Sequence, residues 1–337
     1  MVTRIHGDIA GDVFLREYAA ENTPVVLTGA LLGWGALSWN AQRIEELAGD
    51  RKVLVAPLPP SGRDKWLEHA DEWGGPVEQL PGVVHGSRFL AVAAARVPVH
   101  VREFTSALQG NGNTYYADGN SNLGAGKAFE FLASDIGGPP SAGSRFIPKT
   151  THLWLGGQTV SSLHFDNVEN LFCQVVGSKR FVLYPPGDSK NLVDGRLRKV
   201  YYTWTGDDFE RCPAGVSNEA VLNYAAYDIH DPPEEYKDRA CALRPLEVEV
   251  GPGEVLYLPF GWWHEVYAVP YEGLCASVSF MYEPLFVRLQ PKHRPVLGPL
   301  MFNPKYRPTF EELGLMEDSE EDVPSQTTAA NSAVSAG

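Results

Sequence analysis

TVSSLHFDNVENLFCQVVGSKRFVLYPP, Thr159 to Pro186, is the stretch from which the rest of the chain is read. His164 and Asp166 stand one residue apart, an apolar run follows to Val176, and Lys179 opens a second apolar run after Gly177-Ser178. Side chains alternate with period two along a strand, so His164 and Asp166 on one strand share a face. A two-residue turn at Gly177-Ser178 predicts a hairpin in which Val176 pairs with Lys179. Counting by twos then adds Asn170, Phe172 and Gln174 to the face of His164 and Asp166, and Phe181 and Leu183 to that of Lys179. An imidazole, a carboxylate, an amide and an ammonium among apolar residues are costly to bury without a use.

Two ligands do not hold a catalytic metal, and the third is expected from GEVLYLPFGWWHEVYA, where His264 follows the turn signals Pro259 and Gly261. Two histidines and a carboxylate on one side of an ion leave its other positions open. A second His-x-Asp, His69-Ala70-Asp71, sits in DKWLEHADEW, a segment without strand alternation, and is read as a chance pair. Zinc is the competing metal, but nothing in the pattern supplies a hydrolytic base and Lys179 would be left without a role.

The bulk properties narrow the class. At 337 residues the length prior is about two domains of ~150 residues, yet all-β folds run longer, so one decorated domain is expected. Hydrophobic residues make up 44% and charged residues 21%, ordinary for a globular protein. The net charge of -14 argues against nucleic-acid binding through a broad basic face and favours a protein or peptide substrate. Cys173, Cys212, Cys241 and Cys275 have no C-x-x-C spacing, which suits buried thiols in a reducing compartment, cytoplasmic or nuclear. The start MVTRIHGDIAGD has no apolar signal core and no apolar run is long enough for a membrane span. A homodimer is compatible with the sequence but no segment requires one.

Along the chain, Asp12 to Glu21 reads as a helix capped by Asp12, with Val13, Phe14, Tyr18 and Ala19 on its buried stripe. PVVLTG and KVLVA read as strands around a helix from Ala41 to Ala48. Val97 to Val101 is a strand, Glu103 to Leu108 a helix, Thr114 to Asp118 a strand after the Asn111-Gly112-Asn113 turn, and Ala128 to Ala133 a helix. The Gly/Pro/Ser loop Gly137 to Gly143 closes an accessory region, residues 1–143. Residues 144–290 form the catalytic barrel, with His152 to Leu155 its first strand and a polar insertion at about 187–245. Its late strands are Leu246 to Val250, Glu254 to Leu258, Glu265 to Val269 and Cys275 to Tyr282. Residues 291–316 form a Pro-rich extension, and 317–337 an acidic, then Ser/Thr/Ala-rich tail expected to be disordered.

On SSLHFDNVENLFCQVVGSKRFVLYPP and GEVLYLPFGWWHEV, and over roughly Pro24 to Tyr282, the chain resembles the JmjC or cupin-like Fe(II)- and 2-oxoglutarate-dependent oxygenases. The likeness is to the single-module branch that includes the asparaginyl hydroxylase factor inhibiting hypoxia-inducible factor. The resemblance implies a mainly β fold, a double-stranded β-helix or jelly roll with N-terminal and peripheral helices. It implies Fe(II) held by His164, Asp166 and His264, with 2-oxoglutarate and O2 as co-substrates. Lys179 falls where the family pairs a lysine with the distal carboxylate of 2-oxoglutarate, and Ser161, Asn170 and Tyr116 where it places co-substrate contacts. Ser279 stands where the asparaginyl hydroxylase has Asn, and Asp118 where Gln is usual. Independently of the family, a dicarboxylate needs a cation, and Glu265 to Val287 contains no Lys or Arg, which points back to Lys179.

The function expected is hydroxylation of a protein side chain, with succinate and CO2 as co-products. Lysine demethylation or hydroxylation of a modified tRNA nucleoside is the alternative, and a non-catalytic cupin the third reading. Tyr201, Tyr202 and Trp204 in the insertion are expected beside the substrate groove, with Asp207, Asp208 and Glu210 favouring a basic target. Trp262 and Trp263 are read as packing residues.

Overall fold

The computed structural model describes residues 1–73, 86–109, 115–119, 121–211, 220–288 and 300–315. Eight strands build its centre: β1 (Pro148–Gly156), β2 (Val160–Phe165), β3 (Glu169–Val176), β4 (Ser178–Tyr184), β5 (Leu246–Val250), β6 (Val255–Leu258), β7 (Trp263–Val269) and β8 (Cys275–Tyr282). A four-stranded sheet has the order β5-β4-β7-β2, and β6-β3-β8-β1 forms the middle of a nine-stranded sheet. Consecutive strands alternate between the two sheets except at β4 and β5, which pair in the smaller sheet on either side of the insertion, and the arrangement is the expected jelly roll. The large sheet is extended past β6 by Val25–Thr28 and Thr3–His6, and past β1 by Tyr115–Asp118, Lys52–Pro57 and Val97–His100.

The expected hairpin at Gly177 does not form, because β3 and β4 belong to different sheets. The chain crosses the sandwich there instead. Gly177 has φ +68°, and a Cβ on it would lie 2.6 Å from the Val269 carbonyl oxygen, so only glycine makes the crossing. The residues named from the hairpin count still meet, for a different reason. Phe172 on β3 and Phe181 and Leu183 on β4 face each other across the sandwich and pack in one core cluster, the two phenyl rings 5.1 Å apart edge to face. Gln174 departs from that face's purpose: its amide donates to the carbonyls of Val176 and Gly177 at 2.8 and 2.9 Å and braces the crossing.

Every residue of β3 is buried. The strand is covered on both faces, so its polar residues Glu169, Asn170 and Gln174 are buried along with its apolar ones. Its first residue, Glu169, is a fully buried carboxylate accepting hydrogen bonds from Tyr257 Oη at 2.8 Å, Phe260 N at 3.0 Å and Leu285 N at 2.8 Å. It thereby joins the start of β3 to the turn before β7 and to the chain leaving β8. Burial pushes its carboxyl up to about 7, against the pull of the three donors. The folded form thus keeps a proton that the unfolded chain releases at the ordinary carboxylate range. This contribution is present below the unfolded pKa and is lost as pH rises through about 7. Glu169→Gln leaves one of the donors facing an amide N–H, so unfolding free energy at about pH 5 should fall by about 1–3 kcal/mol. The gap from wild type should narrow towards about pH 8 in urea titrations, since only wild type carries the slope.

A five-stranded sheet, which sequence patterning did not anticipate, covers one side of the barrel. The insertion's strand Arg196–Trp204 pairs in parallel with Gly86–Ala94, which pairs antiparallel with Lys65–His69; Phe209–Arg211 and Ala220–Val221 complete it. The DKWLEHADEW segment is therefore a strand followed by a short turn of helix, not an unpatterned loop. The insertion is fastened by Glu68, whose carboxylate accepts from Trp66 Nε1 (2.7 Å), Trp73 Nε1 (2.8 Å) and Tyr202 Oη (2.9 Å). Tyr202 is thus part of the sheet's outer cluster with Leu90, Val92, Val200 and Trp66, and not a free substrate platform.

Several local expectations shift. The first helix is Gly11–Phe14 continued by one wide turn, Leu15–Ala19. Its N-cap is Ala10 without a side-chain bond, and Asp12 instead pairs with Arg145. Leu15, rather than the exposed Val13, joins Phe14 and Ala19 in the core. The helix Ala41–Ala48 forms as read, capped by Asn40, whose Oδ1 accepts from Arg43 N at 2.8 Å. The helix expected at Ala128 to Ala133 is a tight 3-10 stretch, Glu130–Asp135. Trp262 and Trp263 pack as read, their indole N–H groups donating to Asn22 O and Ser189 Oγ at 2.8 Å each. Cys173, Cys241 and Cys275 are free thiols. Among the described residues no helix is long and apolar enough to cross a membrane. The turn at Asn111 to Asn113, Thr114, Cys212 and the tail from 317 lie outside the described residues.

The chain divides into two compact units, Met1–Asn303 and Pro304–Gly337. The second holds the helix Arg307–Glu312, with an Arg307–Glu311 pair at 3.7 Å.

Candidate metal centre and its cavity

His164 and His264 are directly opposite each other on β2 and β7, their ring centroids 4.3 Å apart. The same local device orients both rings. His164 Nδ1 donates to the Ser162 carbonyl (2.7 Å) and His264 Nδ1 to the Trp262 carbonyl (3.0 Å), each two residues back along the chain. With Nδ1 holding the proton, each Nε2 presents its lone pair to the same point.

Asp166 lies one residue past the end of β2, where the chain leaves for β3. Its carbonyl accepts from Gly261 N at 3.2 Å, and Gly261, at φ +79°, makes the turn that delivers His264. The carboxylate oxygens stand 3.9 Å from His164 Nε2 and 3.8 Å from His264 Nε2. The three ligand atoms lie within 4.8 Å of one another, the one such cluster among the described residues. Burial and the neighbouring His164 push His264 down to about 4, so its imidazole is neutral at physiological pH, as metal binding requires. His69 and Asp71 pair with each other at 3.2 Å, away from this cluster.

The triad opens into a cavity of about 680 Å³ whose wall includes Tyr116, Ser161, Asn170 and Lys179. All four residues named from the sequence are therefore brought together with the three ligands. Lys179 is only 4% exposed, and among the described residues no carboxylate forms an ion pair with it. Its ammonium lies 4.9 Å from the Phe172 ring centre and 5.9 Å from that of Trp154. Burial pulls its pKa below the ordinary lysine value. Asn170 Oδ1 is buried and has no hydrogen-bond partner among the described residues. A buried ammonium and a buried amide oxygen held at one wall of a cavity are costs the fold bears for a ligand. Tyr116, not Tyr115, is the tyrosine at the wall, its ring stacked 6.2 Å from Trp154. Ser279 lies at the same wall and accepts from Trp154 Nε1 at 2.9 Å.

Of the opposite wall, sequence reasoning named only Tyr201, expected beside the substrate groove. Ala91, Ala93, Lys199 and Tyr201 of the five-stranded sheet line the cavity, and the small alanines leave it its depth. Tyr224 was missed as well: it pairs with His164 through an isolated bridge and stacks on the His164 ring at 5.5 Å and 22°. Asp64 and Lys65, 2.9 Å apart, complete that side as a neutral pair. The signal available in the sequence was the run AVAAARV, too small in side chain for a core strand. Asp207, Asp208 and Glu210, expected to favour a basic target, are exposed and do not line the cavity.

Comparison with known proteins agrees with this architecture. The chain is 28% identical over 280 residues to the human (Homo sapiens) bifunctional peptidase and (3S)-lysyl hydroxylase JMJD7, covering 80% of each chain. It is 26% identical over 296 residues to the Arabidopsis thaliana lysine-specific demethylase JMJ32, covering 81% of this chain and 79% of that one. It is also 24% identical over 263 residues to the tRNA wybutosine-synthesizing protein 4 of Gibberella zeae, covering 78% of this chain and 22% of that protein. The model of the cupin-like domain matches residues 10–288, a span holding the entire barrel, the insertion and all three residues of the triad, and the chain belongs to that family.

Proposed function

We propose that this protein is an Fe(II)- and 2-oxoglutarate-dependent oxygenase that hydroxylates a protein side chain. The observation that carries the reading is the convergence of two imidazoles and one carboxylate on the floor of a cavity whose wall buries an ammonium. That donor set suits divalent iron and leaves positions for a bidentate ligand and O2. Bound iron supplies the redox chemistry: O2 and 2-oxoglutarate are consumed, a substrate C–H becomes C–OH, and succinate and CO2 leave.

The chain's own part is to bind and orient. His164, Asp166 and His264 hold the metal; Lys179 pairs with the distal carboxylate of 2-oxoglutarate, and Asn170 Oδ1, Ser161 and Tyr116 line the space around it. The alanine wall leaves room for the substrate beside the triad. The lysyl hydroxylase named among the relatives supports a protein substrate.

The test is mass spectrometry of peptide libraries and RNA nucleosides incubated with iron, 2-oxoglutarate and either native or Asp166→Ala protein. A +16 Da peptide product that depends on Asp166 is expected. Oxidation of nucleosides alone, or loss of methyl groups from lysine without stable hydroxylation, overturns the assignment. Absence of 2-oxoglutarate binding by iron-loaded protein would instead favour a non-catalytic cupin.

A further inference from the structure

A second cavity, of about 160 Å³, adjoins the first. Lys65, Ala91 and Tyr224 line both, so the two are separated by a thin partition. One element of that partition is the Tyr224 ring, which stands on His164 with 5.5 Å between centroids. A residue held at the triad is therefore one side-chain spacing from the smaller cavity.

The lining of the second cavity is chiefly apolar, with Leu67, Leu163, Ala225 and Ile229 among its walls. Its most buried charge, Glu265, is already engaged: Arg63 Nη1 donates to Oε1 at 2.9 Å, while His230 Nε2 and Tyr267 Oη each reach Oε2 at 2.7 Å. A charged side chain entering there would find the Glu265 carboxylate already occupied, whereas an aliphatic one would exchange water for hydrocarbon. Besides Ala91 and Glu265, the lining comes from three segments, within Arg63 to Leu67, Ser162-Leu163 and Tyr224 to Ile229. The last belongs to the insertion, which therefore shapes this space directly.

We propose that the smaller cavity is a specificity subsite of the same active site, receiving an aliphatic side chain of a polypeptide substrate two positions from the residue that is oxidised. The assignment rests on the protein-hydroxylase reading. In an extended segment, residues i and i+2 project to the same side about 6.6 Å apart, commensurate with the step from the triad across the Tyr224 ring. Pockets for alternate side chains of an extended peptide are a common source of sequence specificity.

The experiment takes a peptide that the protein oxidises and varies the positions two residues before and after the target among Leu, Met, Ala and Asp. One of the two positions should require Leu or Met, with Ala lowering kcat/KM by about 10- to 100-fold and Asp at least as much. Leu67→Trp, which fills the cavity, should remove that preference and raise KM for the leucine peptide while 2-oxoglutarate affinity stays at the wild-type value. Ile229→Ala, which enlarges the cavity, should move the preference towards Phe, and it serves if the tryptophan variant does not fold. A flat preference at both positions, or selectivity untouched by both substitutions, overturns the subsite and leaves the hydroxylase reading standing. Oxidation of nucleosides and of no peptide overturns both.

Discussion

Replacing Asp166 with alanine is expected to abolish iron retention and to lower 2-oxoglutarate turnover by about 10³-fold or more, the several kcal/mol that a coordinated metal supplies. The residue contributes the single negative charge of the triad and sits between the two imidazoles, within 3.9 Å of both ligand nitrogens. Its loss leaves two imidazole nitrogens, too few to hold a divalent ion against water. Asp166→Asn separates charge from shape, since the amide fills the same space and keeps one oxygen. Weak iron binding with little turnover is expected from it. Iron content by elemental analysis and succinate formation are the measurements. An alanine variant that keeps stoichiometric iron would show that another group completes the site. The fold should survive either change, because the carboxylate is half-buried and its backbone bond to Gly261 is kept.

The cluster of His164, Asp166 and His264 was legible in the sequence because its signals are local. A single residue separates His164 from Asp166, and His264 follows a Pro/Gly turn, so short spacings stood in for three-dimensional proximity. Lys179 was placed correctly by a count whose premise was wrong. The hairpin does not exist, yet alternation along each strand holds whichever sheet the strand joins, and both strands present that face to the inside of the sandwich. The inward residues of a jelly roll are thus readable without its topology. The walls above the site were not readable in that way. Parallel pairing of Arg196–Trp204 with Gly86–Ala94 joins segments far apart in the chain, and nothing in either strand names the other. Tyr224 reaches His164 through a single isolated bridge. The residues across the cavity from the triad came from such long-range pairings, which is why the triad was found while, of the sheet facing it, only Tyr201 was named.

Lys179 offers the second large effect, and it has two signs. Among the described residues its ammonium has no ion-pair partner, lies against the Phe172 and Trp154 rings, and has its pKa pulled down by burial. In the protein without co-substrate that charge is a cost, borne at every pH below the folded-state pKa, because the unfolded chain holds the same proton in water. Lys179→Met keeps most of the volume and removes the charge. It should therefore raise the free energy of unfolding of the protein measured without 2-oxoglutarate. The same substitution removes a charge-assisted bond to the distal carboxylate, worth roughly 1.5–3 kcal/mol, or about one to two decades in 2-oxoglutarate affinity. Iron affinity should stay near the wild-type value, since Lys179 is no part of the triad. A gain in stability paired with a loss in co-substrate binding is the signature of a group kept for function against the interest of the fold. Denaturant titration and calorimetric titration of 2-oxoglutarate into the iron-loaded variant read the two halves separately. Loss of stability together with loss of iron would mean that Lys179 supports the barrel and that the cation for 2-oxoglutarate lies elsewhere.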